Sequence, residues 1–178
     1  GDPAVRSALV EQLRKTVDGC VASQGVAEAQ KADYFDYSLA RISREWLIGA
    51  KWFLGFLPLA VFIPLRTLNP DPAKIALAAV GTFVGHFVFV ALREEFLFRG
   101  MLLPRLQRWL GANGGLAATC VVFGLTHLPM GQFPNWKFVA AATIAGWFYA
   151  KAYLEGKGIR AAMVTHALTN VVARVFLA

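Results

Sequence analysis

Long apolar blocks constrain this chain more than any other feature of its sequence. The longest runs from residue 73 to residue 103. As one helix it would be about 46 Å long, which exceeds the ~30 Å hydrocarbon core of a bilayer. Only 16% of the residues are charged, whereas soluble domains carry about 25%. The pattern predicts a helical membrane protein whose second apolar block tilts, bends or protrudes.

Turn signals divide the apolar sequence, so we expect an all-α fold, a polytopic transmembrane helical bundle of about five spans. Runs rich in Pro, Gly and Asn occupy residues 67–72, 111–115 and 129–134, and a short link follows at 155–158. Pro104 is expected to stop the second span. The predicted spans are 46–65, 73–103, 116–128, 138–154 and 159–178.

Residues 1–45 form the one stretch that looks soluble, and residues 46–178 are the expected transmembrane core. Apolar residues recur every four positions from Val5 to Val17, which predicts a short amphipathic helix. That helix would lie on the membrane surface or pack against the rest of the chain. Gly19 and Gly25 are expected to end it.

The basic residues indicate a membrane topology. The net charge is +7, but nucleic-acid binding needs basic side chains clustered on one face, so we expect no nucleic-acid partner. Most basic residues instead lie between apolar blocks, and the richer loops are expected to face the cytoplasm. The N-terminus is then cytoplasmic. The basic residues of that side are Arg41, Arg44, Arg105, Arg108, Lys157 and Arg160.

Ionisable side chains inside the second block need a partner or a function, because one near a helix centre costs at least ~2.5–3.5 kcal/mol. Glu95 and Arg99 are four residues apart on one helix face, where we expect them to pair. Glu94 is rotated by about 100° from Glu95, so its carboxylate stays available. On this pattern alone, both glutamates could equally serve only to hold helices together.

Two of the three histidines fall in predicted spans beside other polar or aromatic residues. His127 follows Phe123 by one helical turn, and His166 and Asn170 share one face of the last span. In an antiparallel hairpin, Glu94 and His127 would stand at nearly the same depth. Counting along the last two spans places His166 about 10 Å lower, a gap that helix tilt could close.

Two further polar residues are expected to have structural roles. His86 has no evident partner in the sequence and is interpreted as a packing residue. Arg174 continues the helix face of His166 and Asn170 by one more turn. It could meet a substrate carboxylate, but the favoured expectation is that it extends to the membrane surface.

Taken in order, these motifs resemble those of the CAAX protease and bacteriocin-processing family, the glutamic intramembrane proteases related to the type II CAAX prenyl endopeptidase. The resemblance covers about residues 73–178, whereas residues 1–45 resemble no family we can name. The motifs are Glu94-Glu95-x-x-x-Arg99, Phe123-x-x-x-His127 and His166-x-x-x-Asn170.

The resemblance implies an intramembrane endopeptidase that cleaves a membrane-associated protein or peptide, in the cytoplasmic membrane of a prokaryote. It assigns Glu94 and His127 to the activation of water, and His166 and Asn170 to the stabilisation of the oxyanion. Amide hydrolysis needs both a base and donors of this kind. The site-positioning residues would be Glu95, Arg99 and Phe123.

Several alternatives stay open at this point. Glu94, His127 and His166 could bind zinc, since catalytic zinc sites often use two histidines and a glutamate. Otherwise no cofactor is expected. The chain could instead belong to a different functional class, as a non-catalytic membrane scaffold or partner-binding protein. A proton-coupled transporter is a further candidate. Prenylation of the substrate, the membrane face of the site and the oligomeric state are not predicted.

Overall fold

The chain's fold is described by a computed structural model for residues 3–23, 37–60, 71–131 and 133–176. All regular structure in these residues is helical, which confirms the predicted all-α class. They belong to two compact units, Gly1–Ser38 and Leu39–Ala178.

The first unit contains the helix predicted near the N-terminus, α1 (Pro3–Ser23). The expectation that Gly19 ends this helix is wrong, because the helix continues through it. A single glycine costs a helix only about 1 kcal/mol relative to alanine, which is too little to end it by itself. The apolar residues Val5 and Leu9 are exposed, and Gly25 lies outside the described residues.

The second unit is a bundle in which α2, α6 and α7 pack on one another and α5 packs on α6. Three π-helical segments extend its helices, at His86–Ala91, Phe96–Leu102 and Val172–Phe176. The first two of them join α3, α4 and α5 into one long helical stretch. The helices are α2 (Leu39–Ala60), α3 (Pro72–Gly85), α4 (Leu92–Glu95), α5 (Leu103–Leu125), α6 (Trp136–Gly156) and α7 (Ile159–Val171).

Pro104 does not stop the second apolar helix, contrary to the expectation from sequence. It lies in the first turn of α5, directly after the π-helical segment Phe96–Leu102. Proline removes one helical hydrogen bond and crowds the preceding turn, and a π-helical turn absorbs that disturbance. The backbone breaks instead at Gly111, with φ 75° and ψ 172°, a conformation that glycine adopts without strain.

A buried ionic cluster holds the link between α6 and α7 against α2. Glu45 is 1% exposed and accepts hydrogen bonds from Arg41, at 2.9 Å, and from Arg160. Arg41 also donates to the carbonyl oxygen of Gly156 at 2.8 Å. The cluster therefore fixes the point at which α7 begins, and α7 carries His166.

Among the described residues, one helical stretch, Pro72–Leu125, is long and apolar enough to cross a membrane. Only 6% of its most apolar 18-residue window is buried, and Leu77, Val80 and Phe89 are all more than half exposed. The core helix of a soluble protein would be mostly buried. This helix instead directs a broad apolar surface away from the bundle.

Candidate active site

Glu94 and Glu95 are neighbours in α4, but their side chains have different surroundings. Glu95 is completely buried, whereas the Glu94 side chain is 26% exposed. Arg99 donates to Glu95 Oε1 through Nη1 at 3.1 Å and to the carbonyl oxygen of Gly146 through Nη2 at 2.7 Å. The pair expected from the sequence is therefore present, and it ties the long helix to α6.

Aromatic rings enclose the buried guanidinium of Arg99. Its Cζ lies 4.6 Å from the centroid of the Phe123 ring and 5.4 Å from that of Tyr149. A Cβ at Gly146 would lie 3.0 Å from the Phe123 ring and 3.1 Å from Arg99 Nη2, so the close approach of α6 requires glycine here. Glu95 balances the charge of Arg99, and the ring faces stabilise it further.

His166 contacts both glutamates. Its Nδ1 lies 2.8 Å from Glu95 Oε1, and its Nε2 lies 3.9 Å from Glu94 Oε2. The prediction that His166 lies about 10 Å below Glu94 is therefore wrong. The counting ran along the last two spans and took no account of how the helices tilt and pack against one another, which local sequence signals do not give.

His127 lies just after the end of α5, in the turn that leads to α6. Its Nδ1 is 2.9 Å from the carbonyl oxygen of Phe123. Because a carbonyl only accepts hydrogen bonds, Nδ1 carries the proton and Nε2 keeps its lone pair in the neutral ring. The His127 ring packs against Phe123 and Phe138, at centroid distances of 4.8 and 5.3 Å.

A cavity of about 650 Å³ brings the four residues expected to be catalytic together. Glu94 comes from α4, His127 from the turn after α5, and His166 and Asn170 from α7. Most of the remaining wall is apolar, and α6 contributes five of its residues: Phe138, Ala141, Ala142, Ala145 and Tyr149. This combination of an apolar cavity and a few convergent polar groups is typical of ligand sites.

Two residues with expected structural roles also line this cavity. His86 is half-buried in the wall, with Nδ1 2.9 Å from the carbonyl oxygen of Thr82. Arg174 follows Asn170 by one helical turn and lines the cavity from the π-helical segment Val172–Phe176. The cavity wall thus carries more polar groups than the three sequence motifs contain.

Three buried polar atoms at the site have no hydrogen-bond partner among the described residues: Glu94 Oε2, Glu95 Oε2 and Arg99 Nε. An unsatisfied buried polar group costs about 1–3 kcal/mol, and more when it is charged. Such groups are rare in folded proteins, and a cluster of them is typical of a functional site. In the described part of the chain, no three His, Cys, Asp or Glu side chains are arranged to hold a metal ion.

Sequence reasoning missed Tyr149 in α6. This residue is 2% exposed, lines the cavity and stacks on His166. It stands in the aromatic run Trp147-Phe148-Tyr149, where nothing distinguishes it from a packing residue. Its hydroxyl group within an apolar span was the one available signal.

The fold and the site together define a class: an all-helical protein in which carboxylate, imidazole and amide groups converge on an apolar cavity. The family model described as type II CAAX prenyl endopeptidase Rce1-like matches residues 76–172. This is more than half of the chain, and the chain belongs to this family. The resemblance inferred from the three motifs is confirmed, and all three lie within the match.

The family is a membrane-associated family of CAAX-type proteases. The same comparisons gave no match among curated proteins and none among solved structures. The family match therefore establishes the protein family. Any inference about the reaction depends on the geometry of the cavity.

Proposed function

We propose that the chain is an intramembrane endopeptidase of the glutamic type, which hydrolyses a peptide bond of a membrane-associated protein or peptide. The observation that carries this proposal is the convergence of Glu94, His127, His166 and Asn170 on one cavity. A base, imidazoles and an amide donor are the groups that amide hydrolysis requires.

Glu94 is the proposed base. Its side chain is partly exposed, and it lines the cavity from which water and substrate would reach it. Glu94 takes a proton from water as the water oxygen bonds to the substrate carbonyl carbon. The same proton then passes to the leaving amine as the C–N bond breaks. His127 assists through Nε2, which can accept a hydrogen bond from the water because Nδ1 donates to Phe123.

His166 and Asn170 are the proposed donors to the oxyanion. They are four residues apart on α7 and line the same cavity. The Asn170 amide donates without carrying a charge, and His166 donates through Nε2 when its ring carries both protons. Donors that are already held in place stabilise the developing charge without reorganising.

Glu95 and Arg99 are proposed to position the site rather than to react. Both are completely buried, and Glu95 Oε1 accepts hydrogen bonds from Arg99 and His166. Glu95 is thus neutralised by Arg99 and holds the His166 ring, whereas Glu94 has no arginine or lysine partner within the described residues and lies 3.9 Å from His166 Nε2. The different directions of the two side chains on the helix, about 100° apart, support this proposed division of roles.

We also propose that residues 46–178 form a multi-pass membrane bundle, with the N-terminus in the cytoplasm of a prokaryotic cell. The exposed apolar surface of the long helix supports a lipid environment. The arrangement of basic residues between the apolar blocks supports the orientation.

The proposed reaction needs no metal ion. The purified protein is expected to keep full activity after treatment with 1,10-phenanthroline and after removal of metals by EDTA, because His166 and Asn170, rather than a metal ion, are the proposed stabilisers of the oxyanion. A zinc protease treated in parallel provides the control. Loss of activity that zinc restores would instead favour a zinc site formed by Glu94, His127 and His166.

Quantitative profiling of peptide termini tests the function directly. Membranes from cells that make the wild-type chain are compared with membranes that contain Glu94→Gln at equal abundance. Termini that depend on Glu94 would establish proteolysis and identify the substrate and the side of the membrane on which it is cut. Equal profiles from two well-folded proteins would favour a non-catalytic scaffold or partner-binding protein.

A further inference from the structure

Tyr149 packs face to face with His166, although none of the three motifs includes this tyrosine. The ring centroids are 4.5 Å apart, and the ring planes differ by 12°. We infer that Tyr149 is a positioning residue that fixes the plane of the His166 ring. This inference rests on the proposed function, in which His166 donates to the oxyanion.

One hydrogen bond does not by itself orient an imidazole ring. The contact of Nδ1 with Glu95 Oε1, at 2.8 Å, sets the position of one ring atom but leaves the ring able to rotate about that contact. Phe123 meets the ring only edge-on, at 90° and 6.1 Å between centroids. The face of Tyr149 therefore sets the plane of the ring and directs Nε2 toward Glu94 and the cavity.

The Tyr149 ring is itself fixed by its packing, so it can hold the His166 ring in one plane. It is 2% exposed, and Phe123 packs edge-on against it at 6.0 Å between centroids. The Arg99 guanidinium lies 5.4 Å from its ring centroid. The aromatic face of Tyr149 is the part that contacts His166.

The expected results for two variants separate the ring from the hydroxyl. Tyr149→Phe keeps the stacked ring and is expected to keep kcat within a few-fold of wild type. Tyr149→Leu is expected to lower kcat by about 10²-fold with little change in KM, because a misplacement of about 1 Å costs that much. Both constants are measured with a substrate identified by terminus profiling.

Tyr153→Leu is the matched control. Tyr153 lies one turn further along α6, is 6% exposed and belongs to the same hydrophobic core. It is not part of the cavity wall. This variant is expected to lose thermal stability much as Tyr149→Leu does, but to keep a normal kcat. Equal losses of kcat in both leucine variants would mean that Tyr149 contributes only as a core packing residue. That result would overturn the inference.

An NMR measurement tests the same contact without any assay of activity. The chain has three histidines, so ¹³C-labelled histidine gives three ring signals, assigned with His86→Gln and His127→Gln. The ring current of Tyr149 is expected to shift the His166 ring protons upfield. Tyr149→Phe should keep this shift, and Tyr149→Leu should abolish it.

Each outcome has a distinct meaning. An unmoved His166 signal and a normal kcat in Tyr149→Leu would overturn the positioning role. A Tyr149→Phe variant as inactive as Tyr149→Leu would assign the effect to the hydroxyl and also overturn it. Absence of Glu94-dependent cleavage by the wild type would remove the proposed function, while the NMR result would still decide whether Tyr149 orients the ring.

Discussion

Replacement of Glu94 by glutamine is expected to abolish peptide cleavage and to leave the protein folded. The amide keeps the size of the carboxylate but cannot accept the proton of the attacking water. A general base contributes about 10²–10⁴-fold to a rate, so kcat is expected to fall by at least that much. Because Glu94 is partly exposed and forms no hydrogen bond through Oε2 within the described residues, the loss of its charge costs little stability.

The measurement combines kcat of the purified protein with its thermal unfolding temperature in detergent. Glu155→Gln serves as the control, since it removes a glutamate at the exposed end of α6 that is not part of the cavity wall. It should cleave at the wild-type rate. Normal turnover by Glu94→Gln would refute the assignment of Glu94 as the base.

The largest loss of stability is expected from breaking the buried pair of Glu95 and Arg99. Both side chains are completely buried, so Glu95→Gln or Arg99→Ala leaves the other charge without its partner in a medium of low dielectric. Such a change costs about 3–5 kcal/mol. Protein yield, thermal unfolding temperature and activity are all expected to fall together.

A double variant separates the two roles of this pair. Glu95→Leu combined with Arg99→Met removes both charges and is expected to regain much of the lost stability, but not the activity, because His166 loses the carboxylate that holds Nδ1. The exposed pair of Lys51 and Glu155 provides the comparison, since breaking it should cost at most about 1 kcal/mol. Wild-type stability in both single variants would refute the structural role.

The helical class and most element positions could be predicted from the sequence, because apolar periodicity and turn residues are local signals. Residues 138–154 were expected to be helical, and α6 runs from Trp136 to Gly156. The turn at Gly111 was also expected, since glycine permits its positive φ. The number of membrane spans stays a prediction.

The effect of Pro104 could not be predicted from local rules. Proline usually ends a helix, and whether it does so depends on the neighbouring turns. Here the π-helical segment Phe96–Leu102 accommodates it, and that segment is stabilised by its packing rather than by a recognisable sequence signal.

The sequence alone singled out the residues that are proposed to carry the chemistry. Glu94, Glu95 and Arg99 are distinguished because ionisable groups in an apolar helix are costly, and the spacing of four residues put His166 and Asn170 on one helix face. These signals depend on composition and on helix geometry, so they are readable without any knowledge of how helices pack.

Only the tertiary structure decided which of these groups meet. It paired His166 with Glu95 and turned it toward Glu94, enclosed Arg99 between aromatic rings and stacked Tyr149 on His166. Such contacts depend on the tilt, rotation and register of one helix against another. These follow from the packing of many side chains at once, and no single segment of the sequence encodes them.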